Sequence, residues 1–129
     1  MASSNAIVYC GVKPVFCDID EDTMNIDPVK IEALINKNTK AIIAVDFAGQ
    51  PCDYHKIMPI IKKYNLALIE DAAHSMGAQV NSCPSKPKVG SYADITTFSF
   101  HPVKNITTCE GGMVVTNNEK YYKRMKAFL

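Results

Sequence analysis

Two residues in the chain have types and surroundings suited to chemistry. Lys104 falls in the stretch SFHPVKNITTCEGG, Ser99 to Gly112. It follows His101-Pro102 directly, where an apolar strand ends and a glycine pair lets the chain turn back. A lysine amine attacks a carbonyl when its surroundings lower its pKa and hold it in place. Asp71 closes the run LALIED, so its carboxylate faces a ligand from a largely apolar wall. Such a group needs a cationic or hydrogen-bonding partner. Ser99, Thr107 and Thr108 offer hydroxyls that suit phosphate oxygens, and Gly111-Gly112 permits close backbone approach or a positive φ. Read singly, each residue has a plainer explanation: a solvated loop lysine, and an aspartate capping a turn. Glu70 points to the opposite face of its strand and reads as structural.

These groups must be positioned by strands that alternate with helices. PVFCDID (14–20) reads as a strand, rich in β-branched and aromatic residues. Asp27-Pro28 reads as an N-cap followed by proline in a first helical turn, with Ile31, Leu34 and Ile35 on its apolar face. AIIAVDF (41–47) is a near-continuous apolar run, as in a buried parallel strand. Asp53 caps a second helix in which Ile57, Ile60, Ile61 and Tyr64 recur at helical spacing. Pro59 inside that pattern should kink the helix or delay its start. LALIEDAA (66–73), ADITTFSF (93–100) and GMVVT (112–116) read as further strands, and 81–91 as an exposed turn-rich segment. Asn118 opens a closing helix with Tyr121, Met125 and Phe128 on one face, and the opening ASSNAIVYCG reads as the tail of a helix. The order implies an α/β fold with a mainly parallel sheet, and the last strands follow each other without a helix, which allows part of the sheet to run antiparallel. In such sheets ligands sit at the carboxyl ends of the strands, where Asp71, His74, Ser99 and Lys104 all fall.

Composition excludes several classes. Fourteen basic residues face thirteen acidic ones, which gives no reason for nucleic acid or an anionic membrane as partner. The longest aliphatic run, AIIAV, is far too short to cross a bilayer. The start shows no secretory pattern, so a cytoplasmic location is expected. Cysteines at 10, 17, 52, 83 and 109 are odd in number and irregularly spaced, and with His55, His74 and His101 they make no zinc-ligand pattern. Free or buried thiols and no metal site are the expectation.

Asp71 and Lys104 together point further than either alone. Pyridoxal phosphate requires a lysine for its aldehyde and an acid that keeps its ring nitrogen protonated. IEDAAHSMGA (69–78), followed by VGSYADITTFSFHPVKNITTCEGGMVVTN (89–117), closely resembles the DegT/DnrJ/EryC1/StrS family of sugar aminotransferases. The resemblance continues upstream through NAIVYCGVKPVFCDID and FAGQPCD. It implies the type I pyridoxal-phosphate fold, with this chain as part of the large cofactor-binding domain. It further implies that the phosphate loop precedes Met1, and that a smaller carboxyl-terminal domain follows Leu129.

By this resemblance Lys104 forms the Schiff base with the cofactor and Asp71 contacts the pyridine nitrogen. Ala73 packs on one ring face, His74 hydrogen-bonds the phenolic oxygen, and Ser99 contacts the cofactor phosphate. His101-Pro102 and Gly111-Gly112 shape the loop. The implied reaction moves an amino group, from glutamate as the usual donor, to a nucleotide-linked keto sugar, in a homodimer when the protein is full length. The lysine argues against the branch of relatives that carry histidine there and dehydrate sugars.

Two positions depart from the family pattern. Cys109 replaces the glycine of TTGEGG, crowding the turn if the backbone needs positive φ. AVDFAGQP replaces PVHLYGQP, so a loop histidine is absent. The alternative reading is a non-catalytic fragment or remnant of such an enzyme, inactive alone. A dinucleotide-binding module is disfavoured, because no G-x-G-x-x-G follows a predicted strand.

Overall fold

A computed structural model describes residues 1–82 and 84–128. The cysteine expected at 83 as a free thiol, and the terminal Leu129, lie outside the described residues. Four strands form one sheet in the order β1-β2-β3-β4: β1 Ala41–Val45, β2 Ala67–Asp71, β3 Ile95–Ser99 and β4 Gly112–Val115. The first three run parallel and β4 returns antiparallel to β3, in line with the element order. The register sets Val45 beside Asp71, Asp71 beside Thr97, and Ser99 beside Gly112. The carboxyl ends of β1 to β3 and the start of β4 therefore share one edge.

The two faces of the sheet differ. Ile42, Ala44, Leu68, Glu70 and Thr96 are buried, and the apolar members join Tyr54, Ile57 and Ile61 in the core. Helix α3, Tyr54–Tyr64, presents those three because they fall at i, i+3 and i+7. Each such side chain contributes about 1.5–3 kcal/mol by leaving water. Asp53 caps the helix by accepting from the Lys56 N–H, and Asn65 closes it in a left-handed conformation. The helix begins at Tyr54 and runs through Pro59, so the delayed start expected from the proline is not found. Pro59 and His55, whose carbonyl loses its helical donor, are both exposed, and water can take that carbonyl. On the other face Ile43, Val45, Ile69, Asp71, Thr97 and Ser99 stay half-buried.

Among the described residues three shorter α-helices and two 3-10 turns, Glu32–Leu34 and Phe47–Gly49, accompany α3. Helix α1 spans Ala2–Tyr9, and α2, Pro28–Ile31, starts behind the Asp27 cap, which accepts from the Val29 N–H. Helix α4, Glu119–Lys126, starts behind Asn118, whose side chain accepts from Lys120 and Tyr121 N–H groups.

The strand expected over 14–20 does not form. Only Ile19 makes a bridge, to Ile26, while Val15 and Phe16 are exposed. Asp20 Oδ1 accepts from Asp22 N–H, Thr23 N–H and the Thr23 hydroxyl, and this turn sets Ile19 against Ile26. Cys10, Cys17, Cys52 and Cys109 are free thiols. Among the described residues, no helix is long and apolar enough to cross a membrane.

Candidate active site

Three loops meet at the carboxyl edge of the sheet. The first follows β1 through Asp46 and Phe47, the second follows β2 through Ala72 to Ser75, and the third joins β3 to β4. Backbone bonds stitch them together: Asp46 N–H donates to Asp71 C=O at 3.0 Å, and Ala72 N–H to Thr97 C=O at 2.9 Å. The third loop is pinned at its neck, where Phe100 N–H donates to Gly111 C=O and Thr108 N–H to Phe100 C=O. A Cβ at Gly111 would lie 2.6 Å from Thr108 Oγ1, so a side chain there would displace the hydroxyl that donates to the Glu110 carbonyl.

Asp71 ends β2 with its side chain on the half-buried face. Its Oδ2 accepts the Ser3 hydroxyl at 2.6 Å, and its Oδ1 accepts the Ala73 N–H at 3.2 Å. Among the described residues no cation pairs with it. Ala73 is half-buried beside it. His74 is exposed, with its ring edge-on to Phe47 at a centroid distance of 6.3 Å. Ser99 closes β3, and its hydroxyl accepts from His101 N–H at 3.5 Å.

Lys104 sits in the third loop, held by its N–H to the His101 carbonyl at 2.9 Å. Every other residue from 101 to 112 is exposed, Val103 at 80% and Ile106 at 50%, while Lys104 is half-buried. This inverts the ordinary order, in which lysine is wet and valine covered. The Lys104 amine has no hydrogen bond or ion pair among the described residues. The expected residues thus gather at one edge: Asp71, Ala73 and His74 after β2, Ser99 at the end of β3, and Lys104 just beyond it.

Beneath this edge lies a buried polar cluster whose centre, Asp46, sequence reasoning passed over. Asp46 is fully buried and accepts from Cys52 N–H, the Tyr54 hydroxyl and the Ser75 hydroxyl, at 2.8–2.9 Å. It ties the loop carrying His74 to the start of α3. Burial, with the Asp46 charge second, pushes the Tyr54 phenol and the Cys52 thiol well above their usual ranges. Glu70 is also fully buried, with Oε2 accepting from Thr96 Oγ1 and Gly90 N–H. Its Oε1 is buried without a partner among the described residues, and burial raises its carboxyl above the usual range. The signal for Asp46 was present: AIIAVD ends in an acid just as LALIED does. Ser3 carried no such signal.

Comparison with known proteins fixes the lineage. Residues 1–129 match the DegT/DnrJ/EryC1/StrS aminotransferase family from end to end. The chain belongs to that family. A GDP-perosamine synthase of Caulobacter vibrioides is 44% identical over 126 residues, covering 98% of this chain and 33% of that protein. The Helicobacter pylori aminotransferase PseC, involved in the biosynthesis of pseudoaminic acid, matches in structure with a TM-score of 0.92 and 39% identity. That match covers 98% of this chain and 33% of PseC. NtdA of Bacillus subtilis, solved with bound cofactor PMP, matches with a TM-score of 0.87 and 39% identity, over 95% of this chain and 27% of NtdA. The chain thus spans about a third of the length of the curated family members it matches. The fold expected from the resemblance, part of a type I pyridoxal-phosphate transferase, is the fold found.

Proposed function

We propose that Lys104 and Asp71 are the reactive pair of a pyridoxal-phosphate-dependent transaminase, one that moves an amino group from glutamate to a nucleotide-linked keto sugar. The observation that carries this reading is the inverted burial of the Lys104 loop, in which the lysine residue is half-buried with an unpaired amine while neighbouring apolar side chains stay wet. The residues present fit the cofactor: a half-buried aspartate whose carboxylate meets no cation, and a half-buried lysine whose amine meets no anion, at one sheet edge. Bound pyridoxal phosphate supplies an aldehyde and a protonated ring that accepts electron density when a Cα–H bond breaks.

In this reading Lys104 would hold the cofactor at its aldehyde carbon through Nζ, and the same amine would hold or pass a proton at the substrate carbon. Asp71 keeps a proton on the ring nitrogen by offering an anion that no protein cation already occupies. Ala73, His74 and Ser99 complete the cofactor contacts. The full-length protein is a homodimer acting on small molecules under the same proposal.

Incubation of the chain with pyridoxal phosphate, borohydride reduction and peptide mass mapping tests this directly. One adduct per chain on Lys104, abolished in Lys104→Ala, is the expected result. Labelling scattered over other lysines, or none, would sink the reading for this chain and leave the inactive-fragment alternative.

A further inference from the structure

We infer that Ser3 is a positioning residue for Asp71: its hydroxyl, delivered from α1 across the sheet edge, sets the plane in which the Asp71 carboxylate meets a ring N–H. The inference rests on the cofactor reading above. Ser3 Oγ donates to Asp71 Oδ2 at 2.6 Å, between residues 68 positions apart. That length belongs to strong O–H···O⁻ bonds. The neighbouring Ser4 spends its hydroxyl locally, on the Met1 carbonyl. Helix α1 buries none of its residues, so packing does not account for the precise aim of Ser3.

Rotation of an aspartate carboxylate about its last bond is broad and soft. Here it is held from both sides, by Ser3 on Oδ2 and by Ala73 N–H on Oδ1. Both contacts are donors, so the carboxylate remains purely an acceptor. An ionised carboxylate has about four lone-pair sites, and two donors leave room for a third. Without Ser3 one oxygen loses its only side-chain donor, and the group turns freely about the remaining, longer bond. A ring N–H then meets a carboxylate whose orientation must be fixed anew on each binding.

The test is pyridoxal phosphate titration of the wild-type chain, Ser3→Ala and Ser3→Thr, each alone and with Asp71→Asn. Binding is followed by cofactor absorbance and by borohydride-trapped adduct on Lys104. Ser3→Ala should weaken binding about tenfold, as expected for a lost hydrogen bond to a charged group. Ser3→Thr should restore it, and in the Asp71→Asn background Ser3→Ala should add no further loss. The thermal unfolding midpoint of Ser3→Ala should match that of wild type. Unchanged binding in Ser3→Ala, an equal loss in both Asp71 backgrounds, or failure of threonine to rescue would overturn the assignment alone. Absence of a Lys104 adduct in the wild-type chain would overturn the cofactor reading and this assignment with it.

Discussion

Glu70 and Asp71 are consecutive carboxylates in β2, one on each face of the sheet. Glu70 points toward α3, is fully buried and accepts from Thr96 and Gly90. Asp71 points to the half-buried face, paired with no cation and held by one hydroxyl and one backbone N–H. The α3 face is a closed core in which polar groups such as Asp46 are saturated by their neighbours. The opposite face and its carboxyl edge leave an amine and an acid unmatched. Strand alternation alone produces this division, since successive side chains must take opposite faces. The core face is not wholly satisfied, since Glu70 Oε1 has no partner among the described residues; what sets the edge apart is that Asp71 and Lys104 are only half-buried and meet no opposite charge.

Substitutions on each side can break that contrast. Ile57→Ala removes a fully buried α3 side chain and should cost about 2–5 kcal/mol in urea unfolding. Lys104→Ala should change stability by no more than about 0.5 kcal/mol while eliminating the trapped adduct. Equal losses from the two would mean that Lys104 belongs to the scaffold.

A smaller effect should separate the acids. Because burial raises the Glu70 carboxyl, the folded chain holds that proton more tightly than the unfolded one. The resulting stabilisation is complete below the ordinary glutamate value of 4.5 and is lost as pH rises toward the raised value. Relative to Glu70→Gln, the wild type should therefore lose stability as pH climbs from 4.5 toward neutrality. Parallel pH profiles would show that Glu70 is ionised in its buried position.

The smallest expected change lies at the exposed edge. Cys109 has φ +68°, a left-handed conformation that costs a side-chain-bearing residue about 1 kcal/mol. Cys109→Gly should stabilise the chain by up to about that amount, less the extra freedom glycine gains on unfolding, with adduct formation at Lys104 unchanged. Destabilisation would show that the thiol makes a contribution larger than the backbone strain.

Much of this arrangement was legible because it depends on local pattern. The apolar runs at 41–45 and 66–69, the caps at Asp27, Asp53 and Asn118, and the glycines after Thr108 each report a local backbone requirement. The positive φ at Cys109 followed from its standing in a glycine position. What escaped depends on contacts between distant segments. PVFCDID has strand composition, yet it gains only the Ile19–Ile26 bridge, and composition does not say whether a partner strand lies within reach. Ser3 sits among small residues that predict nothing until α1 is laid beside β2. Asp46 ends an apolar run as Asp71 does. Only the three donors around it reveal that this acid is satisfied and the other is not.

The register of the parallel strands has a consequence in time. Val45 pairs with Asp71, and Asp71 with Thr97, so each pairing closes a long stretch of chain before it gains anything. The neck of the Lys104 loop forms only when β4 returns along β3. A chain emerging from the ribosome therefore presents the acid well before the return strand that frames the amine. Contacts of such high sequence separation form slowly, so the reactive edge should be among the last parts of the fold to mature.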